Sequence, residues 1–555
     1  MNSFSKEMIL AATGARHADL VLEDAWLFNV FTASWDKGSL AIKNGTILGT
    51  GDYEGDKTRD CSGQYIVPGL TDAHVHIESS LLTPPEYARL VALHGTATVI
   101  ADPHEIANVA GIEGIEYMLA ARKNQAIDIQ YMLPSCVPAT PADAGGAVLD
   151  AKDLSRFIGK DGILGLGEMM NVPGVLAADR AIGDKLALSS VRDGHAPGLT
   201  GKLLNAYILA GLQSDHECTT CAEAEEKLKK GMHIYIRDGS TEHNIEELVP
   251  LVTPASVSRC SFATDDCHAD LLMEDGHIDR CIRKAVACGL SPELAIRMAT
   301  LSPAERFGLA DRGALAPGRR ADLCIVDDPE KFEVREVFIR GANVPAAPPA
   351  RQAAFPPTVR CPLPGKTSIR ITGRGVARVI GLVPGQILTE SLRYECNGDD
   401  IPDLDRDILK VVVCNRYRDA PWGIGLVHGF GFRDGAIAGS ISHDAHNIVA
   451  VGTSDEAIRN AIREVIRAQG AMVAIQGSEI SVLPLDCAGL MSTLPYEDVV
   501  SKQKDLQDVT DRMGGIDNPF MYLSFLALTV IPSLRITDRG VFDCTMFRDV
   551  PLFIE

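Results

Sequence analysis

The chain has 555 residues, of which 46% are hydrophobic and 23% are charged, and this globular composition supplies enough apolar material for a large core. The 53 Lys and Arg residues against 74 Asp and Glu residues give a net charge of −21, which disfavours nucleic-acid binding because phosphate contacts need a basic surface. The N-terminus has no uninterrupted apolar run of the signal-peptide type. The apolar stretch from Tyr522 to Leu534 is too short to span a bilayer. The 14 cysteines are scattered along a large chain, so we expect reduced thiols and a cytoplasmic protein.

The two flanks of the first 342 residues are predicted to form β-structure. Residues 1–64 contain short strand and turn patterns, and Asn44-Gly45 between apolar residues is the strongest short-range signal for a hairpin. Strand patterns return after Leu309. We therefore predict that residues 1–64 and 310–342 combine in one small β-sandwich domain.

Between residues 65 and 309, short apolar segments alternate with longer helical patterns. Apolar strands separated by helices indicate a parallel sheet covered by helices, and eight such units in roughly 250 residues predict a (β/α)8 barrel. Helix starts are predicted at Ser291-Pro292 and at the capping-box pattern Ser302 to Glu305. The eight strand candidates read YIVPGLTDAHVH, TATVIADPH, IQYMLPSC, GILGLGEMM, LSSVRDGH, GLQSDHE, MHIYIRDGS and SRCSFATDD.

The rest of the chain is predicted to form a separate domain. Residues 343–365 read as a proline-rich linker, since seven of the 21 residues from Val344 to Pro364 are proline. Residues 366–555 are expected to form an α+β domain. Its clearest helix spans 453–469, where one face is apolar and Gly470 follows.

Several of the predicted barrel strands end in residues of the types that bind metal ions. On an extended strand the side chains at i and i+2 share a face, so the two histidines of the first strand can bind one ion. The active sites of barrel enzymes lie at the carboxyl ends of the strands, where all six residues are expected. The six are His74, His76, Glu168, His195, His216 and Asp265.

Each of these residues alone is weak evidence for a metal. A single H-x-H is more often a structural or surface pair, and a single glutamate is more often a surface residue. The order and strand-end placement of all six together favour a metal site. Imidazole and carboxylate suit divalent first-row metals, and two ions sharing a bridging carboxylate would use this number of ligands.

The strings DAHVHIESS, ADPHEIANV, DGHAPGL, SDHE and FATDD, together with GFGFRDGAIAGSISHDAHN near the C-terminus, resemble the adenine deaminase family of the amidohydrolase superfamily. The resemblance runs through the whole chain. It implies conversion of adenine and water to hypoxanthine and ammonia, in purine salvage and adenine catabolism. Many members of the superfamily bridge the metals with a carboxylated lysine, and Glu168 stands at that place here.

The resemblance also implies the distribution of the ligands and a mechanism. His74, His76 and Asp265 would bind one divalent ion, His195 and His216 the other, and Glu168 both, with manganese or iron favoured and zinc also accepted. A hydroxide bridging the two metals would attack C6 of adenine, because bound cations lower the pKa of water. Asp265 would take its proton and pass it to the leaving amine.

Further candidates surround this set. Attack on the purine needs a proton at N1, and Glu105 is the candidate donor with Glu78 behind it, although Glu105 could instead be a favourable charge at a helix N-terminus. Asp102 and His104 could support a metal ligand or contact the substrate. Arg237 and Asp238 could also support a metal ligand or contact the substrate, but they could equally form an internal ion pair. His443 and His446 could do the same, or they could belong to a polar turn.

Two rival functions remain at this stage. A cyclic-amide hydrolase of the dihydroorotase or hydantoinase type would usually carry the carboxylated lysine, so Glu168 and the additional C-terminal residues argue against it. A non-catalytic scaffold would be favoured if ligands were missing, but all six are present. We expect adenine as the small-molecule partner, no nucleic acid, no membrane, and a homo-oligomer, either a dimer or a tetramer.

Overall fold

The computed structural model describes residues 5–140, 142–344, 355–363, 369–386, 388–397 and 401–554. Helix α1 (Lys6–Ala12) precedes five strands, and β2 and β3 form the hairpin predicted at Asn44-Gly45, where both residues have positive φ. The predicted linker, residues 343–365, lies largely outside the described residues. The five strands are β1 (Leu20–Asn29), β2 (Ser34–Lys43), β3 (Thr46–Thr50), β4 (Thr58–Asp60) and β5 (Tyr65–Pro68).

Eight parallel strands follow, in a curled, TIM-barrel-like arrangement. The first five form one hydrogen-bonded sheet and the last three another. The ends of the set meet where Val75 bridges to Asp265. The strands are β6 (Leu70–Val75), β7 (Thr96–Ala101), β8 (Asp128–Leu133), β9 (Ile163–Met169), β10 (Arg192–Gly194), β11 (Ser214–Asp215), β12 (His233–Arg237) and β13 (Cys260–Ala263).

Helices lie between and after these strands. Ser291 caps α12 as predicted, but the capping-box prediction at Ser302 is wrong, because α13 begins one residue earlier and the Ser302 hydroxyl is buried against the Val257 carbonyl. Short 3-10 helices span Ile77–Ser80, Val249–Leu251 and Val257–Arg259. The α-helices are α2 (Pro84–Ala92), α3 (His104–Ala121), α4 (Ala151–Ser155), α5 (Val172–Leu176), α6 (Arg180–Leu186), α7 (Gly201–Leu209), α8 (Cys221–Lys229), α9 (Ile245–Leu248), α10 (Ala269–Glu274), α11 (Ile278–Ala287), α12 (Pro292–Met298) and α13 (Leu301–Arg306).

The chain then returns to the first sheet with β14 (Leu323–Val326), β15 (Val334–Ile339) and β16 (Ala342–Asn343). Both flanks therefore join in one mixed sheet of order β16-β15-β14-β5-β1-β2-β3, with β4 also paired to β1. Strand β5 pairs with β1 and β14, so this sheet extends to Pro68, beyond the predicted boundary at residue 64. The chain passes from the flanking sheet to β6 at Gly69, where a Cβ would lie 2.6 Å from that of Ala97.

The C-terminal residues form a nine-stranded sheet, a three-stranded sheet and three helices. The helix predicted at 453–469 is confirmed as α14, whose Ser454 cap accepts the Ala457 N–H. The elements are β17 (Gly375–Leu382), β18 (Thr389–Cys396), β19 (Ile408–Cys414), β20 (Gly423–His428), β21 (Ala436–Gly439), β22 (Ile448–Gly452), α14 (Asp455–Arg467), β23 (Ala471–Gln476), β24 (Glu479–Pro484), α15 (Tyr496–Arg512), α16 (Pro519–Phe525), β25 (Leu534–Thr537), β26 (Gly540–Asp543), β27 (Arg548–Asp549) and β28 (Phe553–Ile554).

One hydrophobic core joins the barrel-like part to the C-terminal part. Leu82 and Tyr87 belong to the same buried cluster as Leu490 and Met491. The backbone N–H of Ser492 donates to the Leu81 carbonyl at 2.7 Å. All 14 cysteines lie in the described part of the chain as free thiols. None of the helices described is both long and apolar enough to cross a membrane.

Candidate metal centre

The two histidines of β6 point into one cluster. His74 and His76 are 1% and 3% exposed, and their rings lie 4.8 Å apart, edge to face. The Nδ1 atom of His76 lies 2.9 Å from the Asp102 carbonyl oxygen. As a donor to that carbonyl, Nδ1 fixes the ring and leaves Nε2 for the cluster, an arrangement typical of metal-binding histidines.

Glu168, near the end of β9, lies at the centre of the cluster. Its Oε1 atom is 3.2 Å from His76 Nε2, and its Oε2 atom is 2.8 Å from His195 Nδ1 and 3.3 Å from His216 Nε2. Each carboxylate oxygen thus faces a different group of histidines. This is the geometry that a carboxylate shared by two ions requires.

The backbone of Glu168 is held by Asp102, whose Oδ2 accepts the Glu168 N–H at 3.0 Å. This contact needs glycine at position 167, because a Cβ there would lie 2.0 Å from Asp102 Oδ2. Asp102 is buried and does not line the cavity beside the cluster. The structure thus shows it supporting Glu168.

Asp265 follows β13 and completes the cluster. Its Oδ1 atom lies 3.3 Å from His74 Nε2 and 3.1 Å from His76 Nε2, and its Oδ2 atom accepts a hydrogen bond from Arg237 at 2.7 Å. Its φ of 56° is left-handed. Its backbone N–H donates to the His74 carbonyl, and its own carbonyl accepts the His76 N–H, both at 3.0 Å. These bonds hold the carboxylate beside the histidine pair.

The side chains of the cluster fit a divalent cation. His74 Nε2 is buried, yet it has no partner in hydrogen-bonding geometry among the described residues, although Asp265 Oδ1 is close by. Imidazole nitrogens and carboxylate oxygens are suitable ligands for divalent first-row metals. Three sets of potential ligand atoms lie within 4.8 Å of one another: His74, His76 and Glu168; His74, His216 and Asp265; and Glu168, His195 and His216.

The charges of the cluster are strongly coupled. Burial acts to raise the pKa of Glu168 and of Asp265, but the surrounding histidines, His216 foremost, hold both values well below the ordinary range. Burial acts to lower the pKa of His76, but Asp265 and Glu168 raise it well above its ordinary value. Divalent ions would replace these protons, so metal binding at this cluster releases protons.

Glu105, at the start of α3, contacts two histidines of the C-terminal part. His443 Nδ1 lies 2.6 Å from Glu105 Oε1, and His446 makes a short contact with Oε2. The ring of His443 stacks on Phe525 with centroids 4.8 Å apart. These contacts bring His443 and His446 to the candidate site, although only His443 lines the cavity.

This trio has uneven charge. Burial raises the pKa of Glu105, but His443, His446 and His104 outweigh it and hold that pKa well below the ordinary range. Burial lowers the pKa of His443, but Glu105 raises it to about 9. Burial lowers the pKa of His446 to about 4. At neutral pH, Glu105 is thus a carboxylate between a charged His443 and a neutral His446.

Glu78 and His104 lie on two sides of Glu105. Glu78 does not line the cavity, and its Oε1 accepts the Ile106 N–H of α3 at 3.2 Å. Burial raises the pKa of Glu78 to about 7. His104 lines the cavity, with Nδ1 3.4 Å from Glu168 Oε1 and Nε2 3.4 Å from Glu105 Oε1.

The two candidates at the end of β12, Arg237 and Asp238, lie in different environments. Arg237 lines the cavity and bonds both Asp265 and Glu217. Asp238 lies instead in an internal ion-pair network, 2.8 Å from Lys284 and 3.0 Å from Arg280. The sequence left open whether Asp238 belongs to the site or to an internal ion pair, and the structure places it in the ion pair.

Sequence reasoning missed several residues that line the cavity. Glu217 follows His216 directly and lies 3.3 Å from its Nε2, so its position beside a predicted ligand was an available signal. Asp444 likewise follows the candidate His443, whereas the apolar C-terminal residues gave no local signal, because only the tertiary fold brings them to the cavity. The missed residues are Met170, Glu217, Glu242, Asp266, Asp444, Phe525, Leu528, Val530 and Ile531.

Two family models match the chain. The amidohydrolase family matches residues 65–344, and the adenine deaminase C-terminal domain matches residues 386–548. The cluster lies within the first match, and His443 and His446 lie within the second.

Curated relatives match almost the whole chain. An adenine deaminase of Methanoregula boonei is 66% identical over 98% of this chain and 98% of its own length. An adenine deaminase of Methanoculleus marisnigri is 61% identical over 93% of this chain and 99% of its own length. One from Desulfatibacillum aliphaticivorans is 43% identical over 99% of both chains.

Proposed function

The chain belongs to the adenine deaminase family of the amidohydrolases, and we propose from this membership that it converts adenine and water to hypoxanthine and ammonia. The observation that carries the proposal is the 66% identity to an adenine deaminase over 98% of both chains, and the pair of Glu168 oxygens, each facing separate histidines, supports the metal centre that this reaction needs. The cyclic-amide hydrolase alternative is not favoured, because the relatives at 42–66% identity are adenine deaminases.

Two divalent ions are proposed to occupy the cluster. His74, His76 and Asp265 would hold one, His195 and His216 the other, and Glu168 both. The family resemblance favours manganese and iron, and zinc is compatible, since this set of ligands accepts all three. Bound there, the cations would lower the pKa of water and so supply the nucleophile at neutral pH.

Asp265 is proposed to move protons on the leaving-group side of the purine. It accepts a proton from the attacking water and passes it to the C6 amine, which leaves as ammonia. Its Oδ2 is held by Arg237 at 2.7 Å, and this contact orients the carboxylate. A positioned carboxylate of this kind typically contributes about 10²–10⁴-fold to the rate.

Glu105 is proposed to serve the ring nitrogen N1. Because Glu105 is itself ionised, the proton comes from the charged His443, whose Nδ1 is 2.6 Å away, and Glu105 relays it. Glu78 would act as a positioning residue, since it holds the start of α3 on which Glu105 stands. His104 and Asp102 would position Glu168.

The finer architecture is also a proposal. We propose that the eight parallel strands close as a (β/α)8 barrel and that the flanking strands form a two-layered sandwich. The proposed domains keep the predicted ranges, 1–64 with 310–342, 65–309 and 366–555, with 343–365 as linker, except that residues 65–68 are assigned to the first domain because β5 pairs with β1 and β14. We also propose that the protein forms a homo-oligomer, either a dimer or a tetramer. Its proposed role is in purine salvage and adenine catabolism. A cytoplasmic location is proposed from the 14 free thiols.

Ammonia release tests the function. We expect the metal-loaded protein to release ammonia from adenine and to leave dihydroorotate and hydantoin intact. Absence of adenine turnover after loading with manganese, iron and zinc in parallel would refute the proposal.

Metal content tests the centre. Mass spectrometry of the active protein should find close to two ions per chain. One ion per chain in fully active protein would contradict the bridging role of Glu168.

A further inference from the structure

The cavity beside the metal cluster is built by two distant parts of the chain. One part is the barrel-like region, which contributes the cluster and Arg237. The other is the C-terminal region, which contributes two polar residues, His443 and Asp444, and four apolar ones. The apolar four are Phe525, Leu528, Val530 and Ile531. A flat heteroaromatic ring fits such a cavity, because its faces are apolar while its edge carries polar atoms.

The loop that carries Asp444 is held firmly on both sides. The His443 backbone N–H donates to the Ser524 carbonyl at 2.9 Å, and the Tyr417 hydroxyl donates to the Ala445 carbonyl at 2.7 Å. The side-chain amide of Asn447 reaches the Ala144 carbonyl at 3.2 Å. The loop is thus fixed independently of any contact made by the Asp444 side chain.

Asp444 is 4% exposed, and among the described residues its Oδ2 atom has no hydrogen-bond partner. A buried polar atom without a partner costs free energy, so one beside a binding cavity points to a ligand that supplies the bond. Most other carboxylates of the cavity are engaged: Glu105 by two histidines, and Glu217 and Asp265 by Arg237.

Glu242 is the one comparable group among the described cavity residues. Its Oε2 is also unpartnered, while Oε1 accepts a hydrogen bond from Thr241 at 2.6 Å. The residue is only partly buried, and it feels the charge of Arg237. A partly buried carboxylate that lies near the positive charge of Arg237 needs a ligand less than Asp444 does.

We propose that Asp444 is a substrate-binding residue whose carboxylate accepts the N–H of the five-membered ring of free adenine. This inference rests on the proposed function. The C6 edge of the base must face the metal cluster, and Glu105 serves N1, so the ring N–H is the donor left for a carboxylate on the C-terminal wall. Adenines substituted at N9 lack the N–H of the common tautomer, so the contact selects the free base.

The test compares the metal-loaded wild type with Asp444→Ala and Asp444→Asn. Burial raises the pKa of Asp444 to about 7, so KM is measured at a pH well above that value, where the carboxylate is charged. We expect Asp444→Ala to raise the KM for adenine there about 10- to 100-fold, the range for a lost hydrogen bond to a charged group. The change in kcat should be smaller. Asp444→Asn keeps an acceptor oxygen of the same shape, so its KM should rise less. The preference for adenine over 9-methyladenine, measured as a ratio of kcat/KM, should fall in both variants.

Two controls sharpen the comparison. Asp505→Asn changes an exposed aspartate of α15 and should match the wild type. Glu242→Gln removes the charge of the other unpartnered carboxylate, and it shows whether that cavity residue, rather than Asp444, sets the adenine preference. Metal content and thermal melting are measured for every variant. If Asp444→Ala does not fold, the KM and the adenine preference of Asp444→Asn decide the role of Asp444.

Several outcomes would overturn the assignment. They are an unchanged KM in both Asp444 variants, a fall in kcat without a rise in KM, or a loss of preference confined to Glu242→Gln. Failure of the proposed function is separate: the wild type would then release no ammonia from adenine. In that case the Kd of adenine by calorimetry, compared between wild type and Asp444→Ala, still decides the binding role.

Discussion

Asp265 makes two kinds of contact with one carboxylate. Oδ1 faces the histidines of β6, and Oδ2 is fixed by Arg237. One oxygen can therefore bind a cation while the other stays oriented for proton transfer. Metal binding and proton transfer by Asp265 can therefore be tested separately by mutation.

Asp265→Asn should retain most of the metal and lower turnover about 10²–10⁴-fold, because an amide oxygen still coordinates a cation but cannot take a proton. Metal content per chain and ammonia release are measured on the same preparation. Turnover near the wild-type value would remove the proton role assigned to Asp265.

Glu105→Gln should lower kcat about 10²–10⁴-fold at unchanged metal content, because it would break the proposed relay of a proton from His443 to N1. Glu116→Gln on the exposed side of α3 is the matched control and should match the wild type. A variant with normal kcat would show that Glu105 serves only as a charge at the helix N-terminus.

The sequence predicted the cluster better than its surroundings, for a physical reason. His74 and His76 share a strand face by local geometry, and Glu168, His195, His216 and Asp265 follow from strand ends that a parallel arrangement must bring together. His443 approaches Glu105 across 338 residues of chain, and no periodicity encodes such a contact. The same holds for Asp444.

At the scale of elements, Asp128 ties the start of β8 to the return segment that precedes β14. Its Oδ2 lies 2.6 Å from Arg312 and 2.8 Å from Arg320, and its Oδ1 accepts from Gln130 at 3.0 Å. Burial raises the pKa of Asp128, but the two arginines outweigh it and lower the pKa to about 2. The segment that precedes β14 and the barrel-like strand β8 are thus joined by a charge network.

This network predicts a pH dependence of stability. The folded pKa of Asp128 is about 2 and the unfolded value is about 3.9, so its stabilisation is present above about pH 4 and is lost as pH falls toward 2. Asp128→Asn should therefore cost about 2–3 kcal/mol at pH 7 and almost nothing below pH 2. Thermal melts of metal-free wild type and variant across this range measure the difference, and a constant gap would contradict the assignment.

Element boundaries were predictable where local signals coincided. Asn44-Gly45 and the Ser454 cap of α14 each combine a favoured residue with a change of periodicity. The division between β5 and β6 was missed, because the apolar run continues through Gly69. The two strands are distinguished only by their partners, since β5 pairs with β1 and β14 whereas β6 pairs with β7.

At the scale of the whole molecule, the parts are joined by packing and by charge. Glu86 of α2 accepts from Arg89 at 2.8 Å and from the Tyr496 N–H at 3.1 Å, while Arg89 also reaches Glu497 of α15. Glu86 is 1% exposed. The network fastens the C-terminal part against the barrel-like part.

Glu86→Ala should destabilise the protein by about 1–3 kcal/mol, because the Tyr496 N–H and the buried Arg89 each lose one hydrogen-bond acceptor, while Arg89 still contacts Glu497. Calorimetry should show a lower Tm, or a separate early transition, while exposed Glu116→Ala stays at the wild-type Tm. An unchanged Tm would show that the apolar core alone holds the parts together.

The shared core of Leu82, Tyr87, Leu490 and Met491 has a consequence for synthesis of the chain on the ribosome. Residues 65–344 leave the ribosome with an apolar face exposed, because the C-terminal residues that pack against this face are translated after them. At about 5–20 residues per second, the final 190 residues take about 10–40 seconds. During that interval the nascent chain presents aggregation-prone surface to chaperones, and the substrate cavity lacks the wall formed by residues 443–531. With the proposed roles of His443 and Asp444, the site is complete only once the residues up to Ile531 have been translated.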